Sequence, residues 1–254
     1  MVRNELKAFL SPATAEKTVV TKEMVAGLPP VVQKWLEHSN IIGKEFARTV
    51  NLRQKGKMRT TAGGKWMSFV AEQYFTTQKT GFIWFTEVKA APGIHLAGRD
   101  KYEDGKGHLL IKLLSLFPVA DAKGKEIDQG AMVRYLAEIV WFPSAVLSNY
   151  IQWEQVDSTT AKATMTYNGI TASAFYRFDE NGEVVSIEAK RYYERKGGAT
   201  LEDWLIQMEP NGYKEFAGVK IPAKMAVTWR LKEGDFTWLN LVISEVHYNK
   251  APKD

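Results

Sequence analysis

The chain contains no cysteine among its 254 residues. Disulfides, thiolate metal sites and cysteine nucleophiles are thereby excluded. The compartment stays open, since a cysteine-free chain suits a reducing cytoplasm and an oxidising periplasm alike. Histidine is scarce too: His38, His95, His108 and His247 are scattered, with neither an HExxH nor an HxH arrangement, so no metal site is expected. No GxSxG elbow occurs, and Ser144, directly after Pro143, reads as a helix-start residue. Gly63-Gly64-Lys65 and Gly197-Gly198 lack the spacing of a P-loop or dinucleotide fingerprint and read as turns. No window approaches the ~18 apolar residues of a membrane span. Ala8-Phe9-Leu10, followed by Pro12, is too short for the apolar core of a signal peptide. Motifs therefore assign no catalytic residue and no cofactor.

What is present is ordinary for a soluble globular chain, with 45% hydrophobic and 25% charged residues. Eight Trp, ten Tyr and twelve Phe suit either a wide sheet core or a pocket for an apolar ligand. The net charge of +5 permits an anionic membrane surface as partner. Nucleic acid is not expected. The densest basic cluster, Lys190-Arg191-Tyr192-Tyr193-Glu194-Arg195-Lys196, would put Lys190 and Arg191 on opposite faces of a strand, and a solvated strand end explains it.

Residues 1–40 read as helical. Thr21 can cap a short helix that Gly27 ends, and Pro29-Pro30 opens another with Val31, Val32, Trp35 and Leu36 on one side. From Lys44 the pattern has period two. In 65–77, Met67, Phe69, Ala71, Gln73 and Phe75 share one face and Trp66, Ser68, Val70, Glu72 and Tyr74 the other; both faces are partly apolar, as in a strand covered on two sides. Turns at Asp104-Gly105, Asn168-Gly169, Asn181-Gly182 and Gly234 supply the positive φ of tight hairpins. About ten strands are expected from such signals, with 161–167, 170–178 and 183–193 pairing in succession and 225–231 pairing with 236–248. Helix returns only at 126–148, where Met132, Val133, Leu136, Ile139 and Val140 form an apolar stripe ahead of Trp141-Phe142-Pro143. The expectation is a single α+β domain over 1–254: a strongly curved antiparallel sheet across 44–249, an open half-barrel, with the inserted helices packed on its concave face.

Charged residues that interrupt apolar patterns are the candidates for chemistry. Glu72, Arg99-Asp100, Arg134, Glu138 and Arg191 stand out, and a buried charge needs a partner. One reading makes them an ion-pair network that docks the central helix. The other makes them a polar spot that orients a ligand head group. Arg134 and Glu138, four apart on a helix, are expected to pair. Trp141-Phe142 reads either as core or as the lining of a pocket.

Several segments together resemble a bacterial family of uncharacterised proteins. They are LPxxVQxWL (Leu28–Leu36), Ala71-Glu72-Gln73, GRDxYxDGxG (Gly98–Gly107), RYLAExVWFP (Arg134–Pro143) and YxxFxGVxIP (Tyr213–Pro222). The resemblance implies relatives with a membrane-anchoring segment ahead of the first motif. It follows that the location is the bacterial envelope if such a segment belongs to the natural protein, and the cytoplasm otherwise. The strand content and inserted helices are also similar to LolA-like lipoprotein-carrier half-barrels, which implies an acyl-chain binder. The expected function is binding of a hydrophobic or lipid-like ligand without catalysis. Trp66, Phe69, Trp84, Trp141 and Phe142 would hold the apolar part, and Arg99, Arg134, Glu138 and Arg191 the head group. An enzyme using Glu72, Asp100 or Glu138 as general acid or base, and a partner-binding domain with a self-filled core, are the alternatives.

Overall fold

A computed structural model describes residues 2–11 and 17–250. Three helices come first: α1 (Val2–Leu10), α2 (Lys22–Val25) and α3 (Pro30–His38). The expected cap is present, with Thr21 Oγ1 accepting from Met24 N. The part of the helical expectation that falls on residues 12–16 lies outside the described residues.

The first half of the sheet follows as β1 (Thr49–Met58), β2 (Met67–Thr76), β3 (Gly81–Ala91), β4 (Ile94–Glu103), β5 (Lys106–Leu113) and β6 (Phe117–Ala122). After α4 (Lys125–Glu138) and two 3-10 turns (Ile139–Trp141, Pro143–Leu147), the chain makes β7 (Ile151–Gln155), β8 (Thr160–Tyr167), β9 (Ile170–Phe178) and β10 (Val184–Tyr193). It ends with β11 (Thr200–Met208), β12 (Tyr213–Phe216), β13 (Val219–Pro222), β14 (Lys224–Leu231) and β15 (Gly234–Tyr248). Thirteen strands form one sheet in the order β6-β5-β4-β3-β2-β1-β15-β14-β11-β10-β9-β8-β7, while β12 and β13 make a separate hairpin. All pairings within these strands are antiparallel, among them the three hairpins expected from the sequence. Among the described residues fifteen strands replace the ten or so expected, because several turns carry no Asn-Gly or Asp-Gly signal.

The sheet curls around α4, which packs against β4 and β5 from one end of the sheet and β8, β9 and β10 from the other. This is the expected half-barrel, with helix on the concave side. The 126–148 segment is not one helix, however. Pro143 disfavours helical backbone at the preceding residue, and Phe142 adopts φ −142, ψ 70, so the chain leaves α4 through two short turns. Trp141 and Phe142 are fully buried there, Phe142 against Phe75 with ring centroids 4.7 Å apart. Ser144 is buried inside the second turn, where its Oγ accepts from Ala47 N at 3.0 Å.

Register assigns the two faces of β2. Its Phe69, Ala71, Gln73 and Phe75 lie opposite Gly56, Gln54, Leu52 and Val50 of β1 and look inward. The outer face is covered only in part, by α1, whose buried Phe9 clusters with Tyr74 and Ile83. Two-sided cover thus holds for one end of β2, whereas Val70 at the other end is exposed.

Candidate functional site

A chain of buried polar side chains crosses the concave face. Trp84 Nε1 donates to Gln54 Oε1 (2.7 Å), and Gln54 Nε2 donates to Gln73 Oε1 (3.0 Å). Gln73 Nε2 donates to Glu138 Oε2 (2.7 Å), Arg134 Nε to Glu138 Oε1 (2.8 Å), and Arg134 Nη1 to Asp100 Oδ2 (2.7 Å). The guanidinium of Arg134 also stacks on Phe82 and Trp84, 4.8 Å from each ring. Helix α4 brings Arg134 and Glu138 to one face at four-residue spacing, and inward positions of β1 to β4 supply the rest. Burial pushes the Glu138 carboxyl above its ordinary range despite the bonds from Arg134 and Gln73. Burial also works against the charge of Arg134, but Glu138 and Asp100 outweigh it and raise its pKa. Each oxygen of Glu138 thus accepts one of these bonds.

The polar chain ends at a cavity of about 90 Å³, room for about three waters at ~30 Å³ each. Asp100 and Arg191 both line it, together with Ile127 and Gly130-Ala131 of α4 and Leu109 of β5. Arg191 leaves β10 inward, while its neighbour Lys190 leaves outward to Asp203 at 2.7 Å. The Arg191 guanidinium lies over Trp204 at 5.0 Å and Trp229 at 5.8 Å. Its Nε donates to Gly130 O at 3.0 Å. Among the described residues it makes no ion pair and its two Nη groups have no acceptor. Burial pulls its pKa down to about 10, with Arg134 adding to the fall and Asp100 and Glu138 opposing it. It remains a cation at neutral pH, held where a further acceptor would be welcome.

Alternation along β5 continues the site. Leu109, Ile111 and Leu113 share the inward face with Asp100, Gly98 and Leu96 of β4. All three leucine or isoleucine side chains of β5 on this face are half-buried rather than buried. They form an apolar track of about 14 Å, at ~3.4 Å per residue, from the cavity to the β5–β6 turn.

The remaining candidates fall elsewhere. Phe69 and Trp84 belong to the concave wall, ring centroids 6.2 Å apart. Trp141 and Phe142 are packed core, so the pocket-lining reading of them is corrected: they lie beyond α4's last turn, under the sheet. Arg99 is also corrected. Strand alternation puts it on the face opposite to its neighbour Asp100, where it bonds Glu5 of α1 at 2.6 Å and contacts His108. Glu72 is likewise outside, partly exposed, accepting from Arg53 at 2.9 Å and Tyr74 at 3.0 Å. Trp66 lies on the rim under the guanidinium of Arg59, 4.7 Å from its ring, and borders an open groove of about 580 Å³. Sequence reasoning missed Leu109, Ile111, Leu113, Trp204 and Trp229. The period-two run LLIKL and the aromatic positions in β11 and β14 were the available signals, and nothing local distinguished them from core.

No curated protein matches this sequence. Among solved structures, a DUF1329 family protein from Desulfovibrio piger is similar at 10% identity, with a TM-score of 0.41 over 93% of this chain and 96% of that one. A β-barrel-like protein of domain DUF1849 from Brucella abortus is similar at 12% identity, with a TM-score of 0.32 over 80% and 99%. Residues 18–241 match a family of unknown function (DUF6544), and the chain belongs to that family.

Proposed function

We propose that the protein binds an amphipathic, lipid-like ligand without catalysis, in the manner of LolA-like half-barrels but outside the filled core. The observation that carries this reading is the junction of a polar cavity with an apolar track. Arg191, whose Nη groups have no acceptor among the described residues, and Asp100 line a cavity of about 90 Å³, and the half-buried strip Leu109–Ile111–Leu113 leads out of it. The cavity admits the charged end of a head group and no more. Asp100, Glu126 and Glu194 line it together with Arg191, so the head group must present an acceptor to Arg191 and a donor or cation to the carboxylates. A zwitterionic head satisfies both, whereas a plain carboxylate leaves the acidic side opposed.

The test is a titration of intrinsic tryptophan fluorescence with lauroyl lysophosphatidylethanolamine, below its micellar concentration, and with laurate. Trp204 and Trp229 lie under the Arg191 guanidinium and report on the site. The expected result is saturation by the lysolipid, at least tenfold weaker binding of laurate, and at least tenfold weaker lysolipid binding by Arg191→Leu and by Ile111→Glu. Equal binding by all three proteins would sink the assignment of this site.

A further inference from the structure

We propose that the tip of the β5–β6 hairpin docks on an anionic lipid surface. Ile94, Leu114, Leu116, Phe117 and Val119 are all exposed at this end of the sheet, Leu116 by 70% and Phe117 by 62%. Single exposed apolar residues are commonplace, but a contiguous set on a projecting turn marks an interaction site. The backbone makes the case stronger. Leu114 and Ser115 sit at φ 53 and 60, and Leu116 N closes the turn on Leu113 O at 3.0 Å. The corresponding positive-φ turns of β4–β5 and β8–β9 are made by Asp104-Gly105 and Asn168-Gly169, the residue types that adopt this conformation readily. Here the chain places a leucine instead. Val119 projects from a bulge between Pro118 and Ala120, and Pro118 removes a donor from this edge strand, which works against pairing with a second sheet edge.

The surroundings name the partner. Leu114 N bonds His95 O at 2.9 Å and Ser115 Oγ contacts His95 Nε2 at 3.1 Å, joining the tip to the β3–β4 turn. Lys65 and Lys89 line the neighbouring groove and Lys112 precedes the tip. None of the three has a carboxylate partner among the described residues, and Glu87 is the one carboxylate lining that groove. Apolar side chains on a turn, with lysines that have no carboxylate partner among the described residues nearby, fit the boundary between anionic head groups and acyl chains. The proposal is independent of head-group binding at Arg191.

Co-sedimentation with phosphatidylglycerol and phosphatidylcholine vesicles tests it. The protein should pellet with the first at least tenfold more than with the second, less so as salt is raised. Leu116→Glu/Phe117→Glu should lower the pelleted fraction at least fivefold with an unchanged circular dichroism spectrum, and Lys65→Glu/Lys89→Glu should do so on phosphatidylglycerol. Phe117→Trp should shift its emission to the blue on those vesicles, a readout that needs no loss of binding. Arg191→Leu should pellet like the wild type. Failure of the wild-type protein to pellet, an undiminished tip variant, or loss through Arg191→Leu would each overturn the proposal. So would a vesicle-free dimer that the tip variant converts to monomer.

Discussion

Two arginines on the concave face differ in what surrounds them, and the difference decides their roles. Arg134 is balanced by two carboxylates, with side-chain exposures of 13% for Arg134, 12% for Asp100 and 8% for Glu138. Breaking such a pair costs about 3–5 kcal/mol, because a charge is stranded in a poorly solvated place. Arg134→Met should therefore lower the urea-unfolding free energy by about that much. Arg134→Met/Glu138→Leu should recover most of it, since Asp100 then borders the cavity and can be hydrated there. A double variant as damaged as the sum of the singles would show that Asp100 has no access to water. The i,i+4 pairing of Arg134 and Glu138 was legible in the sequence because it is local to one helix. The third partner, Asp100, was not, since it arrives across the sheet. Arg191 was visible only as one member of a basic cluster; its place over Trp204 and Trp229 depends on strands that come later in the chain.

At the scale of elements, the approach of β5 to α4 fixes the cavity. Gly107 lies so close that a Cβ there would stand 2.6 Å from Ile127 O, and Gly107 N donates to Asp128 Oδ1 at 2.7 Å. Lys106 adds a bond to Asp128 at 3.0 Å. Asp128, in the first turn of α4, thus ties the helix N-terminus to the strand that carries the apolar track. Gly107→Ala should force the two apart and cost about 1–3 kcal/mol, the usual scale of overpacking, measured as a drop in the urea midpoint with unchanged slope. No loss would mean that the strand and helix can slide without strain. Turn chemistry explains which elements were readable. Asn168-Gly169 and Asp104-Gly105 announce their hairpins, whereas the Leu114-Ser115 turn takes the same backbone without glycine, and β6 went unseen for that reason. The small β12–β13 hairpin turns at Ala217-Gly218, both at positive φ, another signal without the usual asparagine or aspartate.

Across the whole molecule, the curled sheet closes over an aromatic interior. Phe75 contacts Phe82, Tyr135, Trp141 and Phe142, and Trp141→Ala should cost about 3–5 kcal/mol, as expected for a packed ring. Burial raises the phenol pKa values of Tyr135 and Tyr176 well above the ordinary value, and that of Tyr74 to about 12. The folded chain therefore keeps protons that the unfolded chain releases near pH 10. Stability from this source is complete below that pH and declines as pH rises beyond it. Absorbance at 295 nm should show the Tyr135 and Tyr176 phenols ionising together with unfolding; gradual ionisation with the fold intact would mean an interior open to water. Curvature of the sheet was legible from period-two strands and an apolar helix between them, but which side chains fill the concave side was not, because alternation assigns a face and not an occupant.

The proposed function places an amphipathic ligand at the Asp100–Arg191 cavity and its track, outside the filled interior. The most direct measurement is organic extraction and mass spectrometry of protein purified without detergent, beside Arg191→Leu and Ile111→Glu prepared in parallel. An amphipathic lipid approaching one per chain in the wild-type extract, and depleted at least tenfold from both variants, is the predicted result. A wild-type extract without lipid, from protein that also fails to bind lauroyl lysophosphatidylethanolamine, would contradict it.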